Sequence, residues 1–404
     1  MDGHAFIPQV MEAGALCTLS EKDLEETEYP YIRIDSSRQA VKDLAAYYLD
    51  QLKIPVVGIT GSVGKTSTKE MIAAVLGEKF RVLKTLGNFN NELGLPLTIF
   101  RLRDEDEIAV LEMGISFFGE MHRLAAVSRP NTCVITNIGT CHLENLIDRD
   151  GVFRAKTEIF DHLRENATVI LNGDDDKLAA VQEVQGNKPV FFGLSPEREL
   201  YADQICAQGL KGISCVIHTP KGEFPVMVPI PGQHMVYNAL AGTAVGLSYG
   251  MTLEEIKKGI ESLQSLSGRF HIIETEKYTV VDDCYNANPM SMKASLGILK
   301  DAQGRKTAIL GDMGELGENE VELHKEVGRF AADAGIDLLI CVGKLSAYMA
   351  KAAKEEGTGL QVIHEESVSE LMKKLSEYLK EGDTILVKAS HFMNFTQIVE
   401  ELKK

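Results

Sequence analysis

Residues 54–60, IPVVGIT, form an unbroken apolar run that closes on glycine and threonine, and such a run predicts a fully buried parallel strand. The signature returns in EIAVLEMG (107–114), TCVITNIG (132–139) and ATVILNGD (167–174), each followed by a stretch of mixed polarity long enough for a helix. Alternation of that kind predicts an α/β domain around a mostly parallel sheet. Upstream, residues 1–52 read as a small αβ piece: a helix around Ile7–Ala13, a strand at Tyr31–Ile34 and a helix from Ser37 to Leu52.

Further along, 201–230 alternates apolar and polar positions, as in SCVIHTPKGEFPVMVPI, with Gly and Pro at the turns, which predicts an antiparallel appendage. A helix starts near Met235. The pattern breaks at QSLSGR (264–269), and a second βα series opens with YTVVDD. Its strands fall at Tyr278–Asp283, Thr307–Gly311, Asp337–Val342 and Thr384–Lys388, with helical stretches such as Glu318–Ala334 and Ser367–Leu379 between them. A doubly wound domain follows from that series. The expected division is a partial N-terminal domain over 1–52, a central domain over 53–266 and a C-terminal domain over 267–404.

Composition narrows the class. At 404 residues the chain exceeds what one core usually organises, and 44% hydrophobic with 25% charged residues is the balance of a soluble globular protein. A formal charge of −17 without any block of Lys and Arg argues against a nucleic-acid surface. The seven cysteines sit in apolar runs without CxxC spacing and are expected as reduced core thiols. No apolar stretch approaches the ~20 residues that span a bilayer, and MDGHAFIPQV lacks a basic, then apolar, leader pattern. A cytoplasmic monomer is expected.

Candidate chemistry centres on GITGSVGKT (58–66). A common phosphate-binding loop places four residues between its first glycine and Gly-Lys-Ser/Thr, whereas Gly58 leaves five and Gly61 leaves two. The context nevertheless fits: buried strand, glycine-rich turn, then helix formers from Thr66. Amides from Gly61 to Lys65 would form an anion nest at the helix N-terminus, with Lys65 meeting the β- and γ-phosphates and Thr66 a magnesium ion. Glu112, ending a neighbouring strand, supplies the hard oxygen that magnesium prefers. His142 and Lys156, taken alone, read as a structural histidine and a helix lysine. In the C-terminal series, VVDDCYNANPMSM, GDMGELG (311–317) and LVKASH (386–391) place polar groups at strand ends, as binding loops or as Asx-rich turns.

Nine motifs occur in order: TGSVGKTSTKEM, GNFNNELGLPLT (87–98), LEMGIS, HLENL, RAKTEIF, GQHMVYNALAG (232–242), SGRF, DDCYNANPMSM and GDMGELG. Together they resemble the Mur ligase family, ATP-dependent amide-forming enzymes of peptidoglycan synthesis, whose loop TGxxGKT/S Thr60–Thr66 matches in full. GNFNNELG and YNANP look like the branch that adds D-alanyl-D-alanine to a UDP-N-acetylmuramoyl-tripeptide. The resemblance implies three domains, with a central P-loop ATPase domain and a C-terminal Rossmann-like domain. It also implies phosphorylation of a carboxylate by ATP and attack on the acyl phosphate by the dipeptide amine.

Residue by residue, it implies phosphate contacts from Thr60, Gly61, Ser62, Val63, Gly64, Lys65, Thr66 and Ser67. Thr66 and Glu112 would hold one magnesium and His142 would contribute to a second. Lys156 matches the lysine that the family carboxylates with carbon dioxide. Asn238 would contact adenine, and Arg269 and Asp283 would complete the ATP site. Asn90, Asn91, Asn286, Asn288, Lys388 and Ser390 fall to the substrate side. The family's N-terminal domain normally carries a D-S-R and P-G-D-L-F-type segment before the DGHxFI motif at which this chain starts, so a truncated or misassigned start is expected, with a variant that holds its substrate differently as the alternative. A ligase for another carboxylate is the near alternative. A P-loop phosphotransferase or NTPase switch is opposed by the YNANP domain, and a non-catalytic remnant by the intact Lys65, Thr66, Glu112, His142, Lys156 and Arg269.

Overall fold

The computed structural model describes residues 2–24, 29–357 and 359–404. Three sheets organise them. The first is a parallel pair, β1 (Thr18–Ser20) with β2 (Tyr31–Arg33). The helix Ser37–Leu52 that follows buries Ala45 and Leu49 in the same cluster as Leu95, Leu111 and Leu124, so it shares the central core.

The second sheet has nine strands: β3 (Val56–Thr60), β4 (Val82–Lys84), β5 (Ile108–Glu112), β6 (Thr132–Ile135), β7 (Thr168–Asn172), β8 (Val190–Gly193), β9 (Leu200–Ala207), β10 (Ile213–Thr219) and β11 (Gly222–Val228). Their spatial order is β11-β10-β9-β8-β7-β6-β3-β5-β4, parallel from β4 through to β9. Val57 and Ile59 pack on one face against Met71 and Val75 of the helix Lys65–Gly77, whereas Val56 packs on the other face beside Leu95. Two covered faces explain why β3 reads as a continuous apolar run instead of an alternating one.

The expected antiparallel segment is present and extends this sheet at its edge as β9–β11. Its alternation arises because Ile213, Cys215, Ile217, Phe224, Val226 and Val228 face the shared core while their neighbours face water.

The third sheet comprises β12 (His271–Glu274), β13 (Thr279–Asp282), β14 (Lys306–Gly311), β15 (Leu338–Val342), β16 (Gln361–Glu365) and β17 (Thr384–Lys388), in the order β12-β13-β17-β14-β15-β16. Only the edge strand β12 runs antiparallel. Hydrophobic clusters cover both faces, as a doubly wound domain requires. The cysteine expectation needs a partial correction. Cys133, Cys215, Cys284 and Cys341 are buried thiols, but Cys17 and Cys206 are exposed and Cys141 is half-buried.

Candidate active site

The P-loop occupies the crevice where chain order reverses, with β3 flanked by β5 on one side and β6 on the other. Ligands of open α/β sheets bind at such points. Gly61 is obligatory there, since a Cβ on it would lie 1.9 Å from Thr136 Oγ1. Gly64 caps the helix Lys65–Gly77 with φ 84°, a left-handed conformation that glycine adopts without strain.

The expected nest is smaller than the sequence suggested. Ser62 N–H donates to Asn137 O and Val63 N–H to Asn137 Oδ1, both at 3.0 Å. Val63 O in turn accepts from Thr136 Oγ1 and Asn137 Nδ2, and Gly139 N–H donates to Ser62 Oγ. The front of the loop is therefore pinned to the segment after β6. Amides of Gly64, Lys65, Thr66 and Ser67 remain at the helix N-terminus, where no intrahelical acceptor exists. Thr60, at the end of β3, is fully buried, and Lys65 Nζ donates to Gly61 O at 3.0 Å.

Glu112 ends β5 directly beside this helix. Thr66 Oγ1 donates to its Oε2 at 2.9 Å, Asn90 Nδ2 donates to its Oε1 at 2.8 Å, and its own N–H is held by Thr85 Oγ1. A carboxylate and a threonine hydroxyl at the head of a P-loop helix are the hard-oxygen donors that suit magnesium. Among the described residues no group of three or more His, Cys, Asp or Glu side chains forms a metal cage. A magnesium ion that keeps its waters and binds phosphate oxygens does not require one.

Lys156 lies on the helix Arg149–Thr157, whose start is capped by Asp148 accepting from Gly151 N–H. Its side chain is 1% exposed and no described acidic side chain pairs with it. Burial, reinforced by the positive charge of Lys65, pushes its pKa down to about 8. His142 precedes this helix in a left-handed conformation at φ 51°. Its Nδ1 lies 3.3 Å from Glu315 Oε2, across the boundary to the C-terminal sheet. Burial lowers its pKa, Glu315 opposes that shift, and Lys156 and Lys65 add to it. Lys65, Lys156 and His142 thus sit within one another's fields.

The other predicted residues divide. Asn238 accepts from Thr68 Oγ1 at 2.8 Å and so ties the helix Gln233–Ser248 to the P-loop helix. Asn91 Oδ1 accepts from Leu93 and Gly94 N–H, closing the turn into the helix Gly94–Ile99. Asn288 is the N-cap of the helix Pro289–Leu299, in a capping box with Ser291. These two asparagines serve as Asx caps, which for Asn288 is the plainer of its two sequence readings.

A second polar cluster lies at the strand ends of the C-terminal sheet. Asp283 accepts from Phe270 N–H, Ser295 Oγ and Lys388 Nζ, the last at 2.6 Å, while Lys388 also reaches Asn286 O. Ser390 Oγ receives Gly314 N–H and donates to Ala287 O, joining three loops. The Arg269 guanidinium stacks 4.1 Å over the Tyr285 ring, which itself lies beside His391. In this arrangement Asp283 is satisfied by its own domain, and Arg269 lies on Tyr285 and makes no described salt bridge. The Glu315–His142 contact joins the two clusters, as an ion pair when the imidazole is protonated, which burial disfavours.

Sequence reasoning missed Asn137, Thr85, Lys69 and Glu315. Asn137 was visible as a polar residue ending TCVITNIG, and Lys69 as the residue one helical turn after Lys65. Glu315 lay within GDMGELG, already marked as a polar loop at a strand end, and Thr85 carried no signal short of its contacts.

A P-loop whose threonine meets a strand-end carboxylate, facing a second α/β domain, defines a nucleotide-dependent enzyme with a divided site. The chain belongs to the Mur ligase family: the Mur ligase middle domain matches residues 59–246, and the Mur ligase, glutamate ligase domain matches residues 268–391. Among curated relatives, UDP-N-acetylmuramoyl-tripeptide--D-alanyl-D-alanine ligase of Bacillus subtilis is 37% identical, covering 99% of this chain and 88% of its own length. The Escherichia coli enzyme of the same name is 35% identical, over 100% of this chain and 88% of its own. Crystal structure I of MurF from Acinetobacter baumannii superposes with a TM-score of 0.90 at 32% identity, covering 100% of this chain and 88% of that one. MurF ligase from Thermotoga maritima in complex with ADP superposes with a TM-score of 0.87 at 29% identity, over 100% and 92%. Among the described residues no helix is long and apolar enough to cross a membrane.

Proposed function

We infer that this chain is an ADP-forming ligase that joins D-alanyl-D-alanine to UDP-N-acetylmuramoyl-tripeptide in cytoplasmic peptidoglycan precursor synthesis. The observation that carries the reading is the Thr66–Glu112 contact beside Lys65, in a chain aligned over nearly its whole length with enzymes named for that reaction.

Chemically, an oxygen of the tripeptide's terminal carboxylate attacks the γ-phosphorus of ATP, the bond to the β–γ bridging oxygen breaks, and ADP leaves. The dipeptide's free amine then attacks the acyl carbon, expels phosphate and gives up a proton, leaving an amide. Neither step needs a covalent bond to the protein. The chain's contribution is positioning and charge. The Gly64–Ser67 amides and Lys65 hold the phosphates, and Lys65 balances the charge that develops as the γ-phosphoryl group moves.

Thr66 and Glu112 would hold magnesium, which would supply charge neutralisation at the phosphates. His142 offers a nitrogen, a poorer magnesium ligand than oxygen, and its part in a second metal site is the less supported of the two. Lys156 fits carbamylation. A buried amine with a pKa of about 8 and no acidic partner has a far larger neutral fraction near neutral pH than an ordinary lysine, and the resulting anion would sit in the fields of Lys65 and His142.

For the second substrate and the far side of ATP we propose Arg269, Asp283, Lys388, Asn286 and Ser390, brought to the P-loop by domain closure. Asn90 is better supported as a holder of Glu112 than as a substrate contact. Domain limits near 52 and 266 and a monomeric state belong to the same reading. Incubation with ATP, UDP-tripeptide and labelled dipeptide tests it. Label must move into a UDP-linked product, and a chain that leaves all label in free dipeptide is not this ligase.

A further inference from the structure

Lys69 is the residue the reaction above leaves unused. It is 1% exposed on the P-loop helix, among the largest fully buried side chains of the described residues. Burying an ammonium costs several kcal/mol unless it is paired and hydrogen-bonded. Here Nζ donates to Thr85 O at 2.7 Å, pairs with Glu70 Oε1 at 3.0 Å and lies 4.0 Å from Glu112 Oε2. The other oxygen of Glu70 is taken by Lys84, whose side chain is 36% exposed. Charges therefore alternate from the surface inward: Lys84, Glu70, Lys69, Glu112.

Thr66 and Lys69 are three residues apart on one helix face, so both reach the same carboxylate oxygen. Thr85 receives Lys69 at its carbonyl and the Glu112 N–H at its hydroxyl. Asn90, from the loop that Thr85 introduces, holds the second carboxylate oxygen. Packing alone would be met by a methionine or leucine, and replacing buried ion pairs by apolar groups is often neutral for stability. A buried lysine in this place needs another reason.

We propose that Lys69 is a positioning residue that, through Thr85 and its own charge, fixes the Glu112 carboxylate and the root of the 85–94 loop in the orientation for metal binding. The proposal rests on the reading of Glu112 as the magnesium ligand. Groups of this kind behind a metal ligand are worth about 10- to 100-fold in metal affinity.

Calorimetry of ADP binding, with magnesium chloride and with a chelator, separates the outcomes without any turnover. Lys69→Met reduces the magnesium-dependent gain in ADP affinity by about 10- to 100-fold and leaves metal-free ADP affinity as in the parent, and Lys69→Arg restores most of the gain. If Lys69→Met keeps the full gain, or loses metal-free affinity by the same factor, Lys69 only supports the fold and the proposal fails. Should Lys69→Met not fold, the pair Lys69→Met with Glu70→Leu removes both charges and is read by the same criteria. Glu112→Gln is the control. Loss of the gain there with retention in Lys69→Met overturns Lys69 alone, whereas retention in Glu112→Gln overturns the magnesium reading beneath it.

Discussion

Thr66 Oγ1 donates to Glu112 Oε2 at 2.9 Å, joining the first turn of the P-loop helix to the end of the neighbouring parallel strand. Removing one preorganised charge-stabilising group typically lowers turnover by about 10² to 10³. Glu112→Gln is expected to lose activity on that scale. Steady-state kinetics over a magnesium titration checks it, and a parental rate would remove Glu112 from the site.

Lys156 gives a prediction with a definite pH sense. Only the neutral amine attacks carbon dioxide, and the folded-state pKa of about 8 means that the neutral fraction grows as pH rises through that value. Enzyme stripped of carbon dioxide is expected to lose activity and recover on adding it, faster at higher pH for a fixed dissolved concentration. Lys156→Ala should be inactive and indifferent. Labelled bicarbonate followed by carbon NMR reads the carbamate directly, and a labelled-carbamate signal of equal size in both proteins would place the modification elsewhere.

Gly61 packs where a side chain cannot fit, against Thr136 Oγ1. Gly61→Ala therefore forces the loop away from the segment after β6, at an overpacking cost of about 1–3 kcal/mol. Chemical denaturation is expected to show that loss together with a raised KM for ATP. Unchanged stability would mean the loop is not pinned as described.

His324 is fully buried with both ring nitrogens engaged: Nε2 accepts Met313 N–H at 2.9 Å and Nδ1 donates to Glu320 O at 2.7 Å. Burial lowers its pKa, with Glu320 and Asp312 opposing. The unfolded chain binds the proton first, so the stabilisation is complete above about 6.5 and is lost as pH falls through the lower folded value. Urea midpoints for wild type should drop more steeply from about pH 7 to about pH 5 than those of His324→Gln, whose amide can make both bonds without titrating. Parallel curves would contradict this.

What the sequence made legible follows burial. IPVVGIT, LEMG and TILVK were readable because both faces of those strands are covered, so pattern and structure agree. HIIE and QVIHE escaped notice as β12 and β16 because edge strands are short and half-exposed. The P-loop was legible from local order, and Glu112 from its place at a strand end. The burial of Lys156 was not, since a helix lysine looks the same by periodicity whether it faces water or the interior. For Asn91 and Asn288, which the motif drew toward substrate, the contacts the fold makes are those of caps. The GDMGELG loop was marked, but the pairing of its Glu315 with His142 at 3.3 Å was not.

The central claim is that ATP cleavage is tied to joining two particular substrates at this P-loop. ADP release, followed with each of ATP, UDP-N-acetylmuramoyl-tripeptide and D-alanyl-D-alanine omitted in turn, tests it most directly. The account predicts sustained ADP formation only when all three are present. Sustained ADP release that ignores the dipeptide would contradict it.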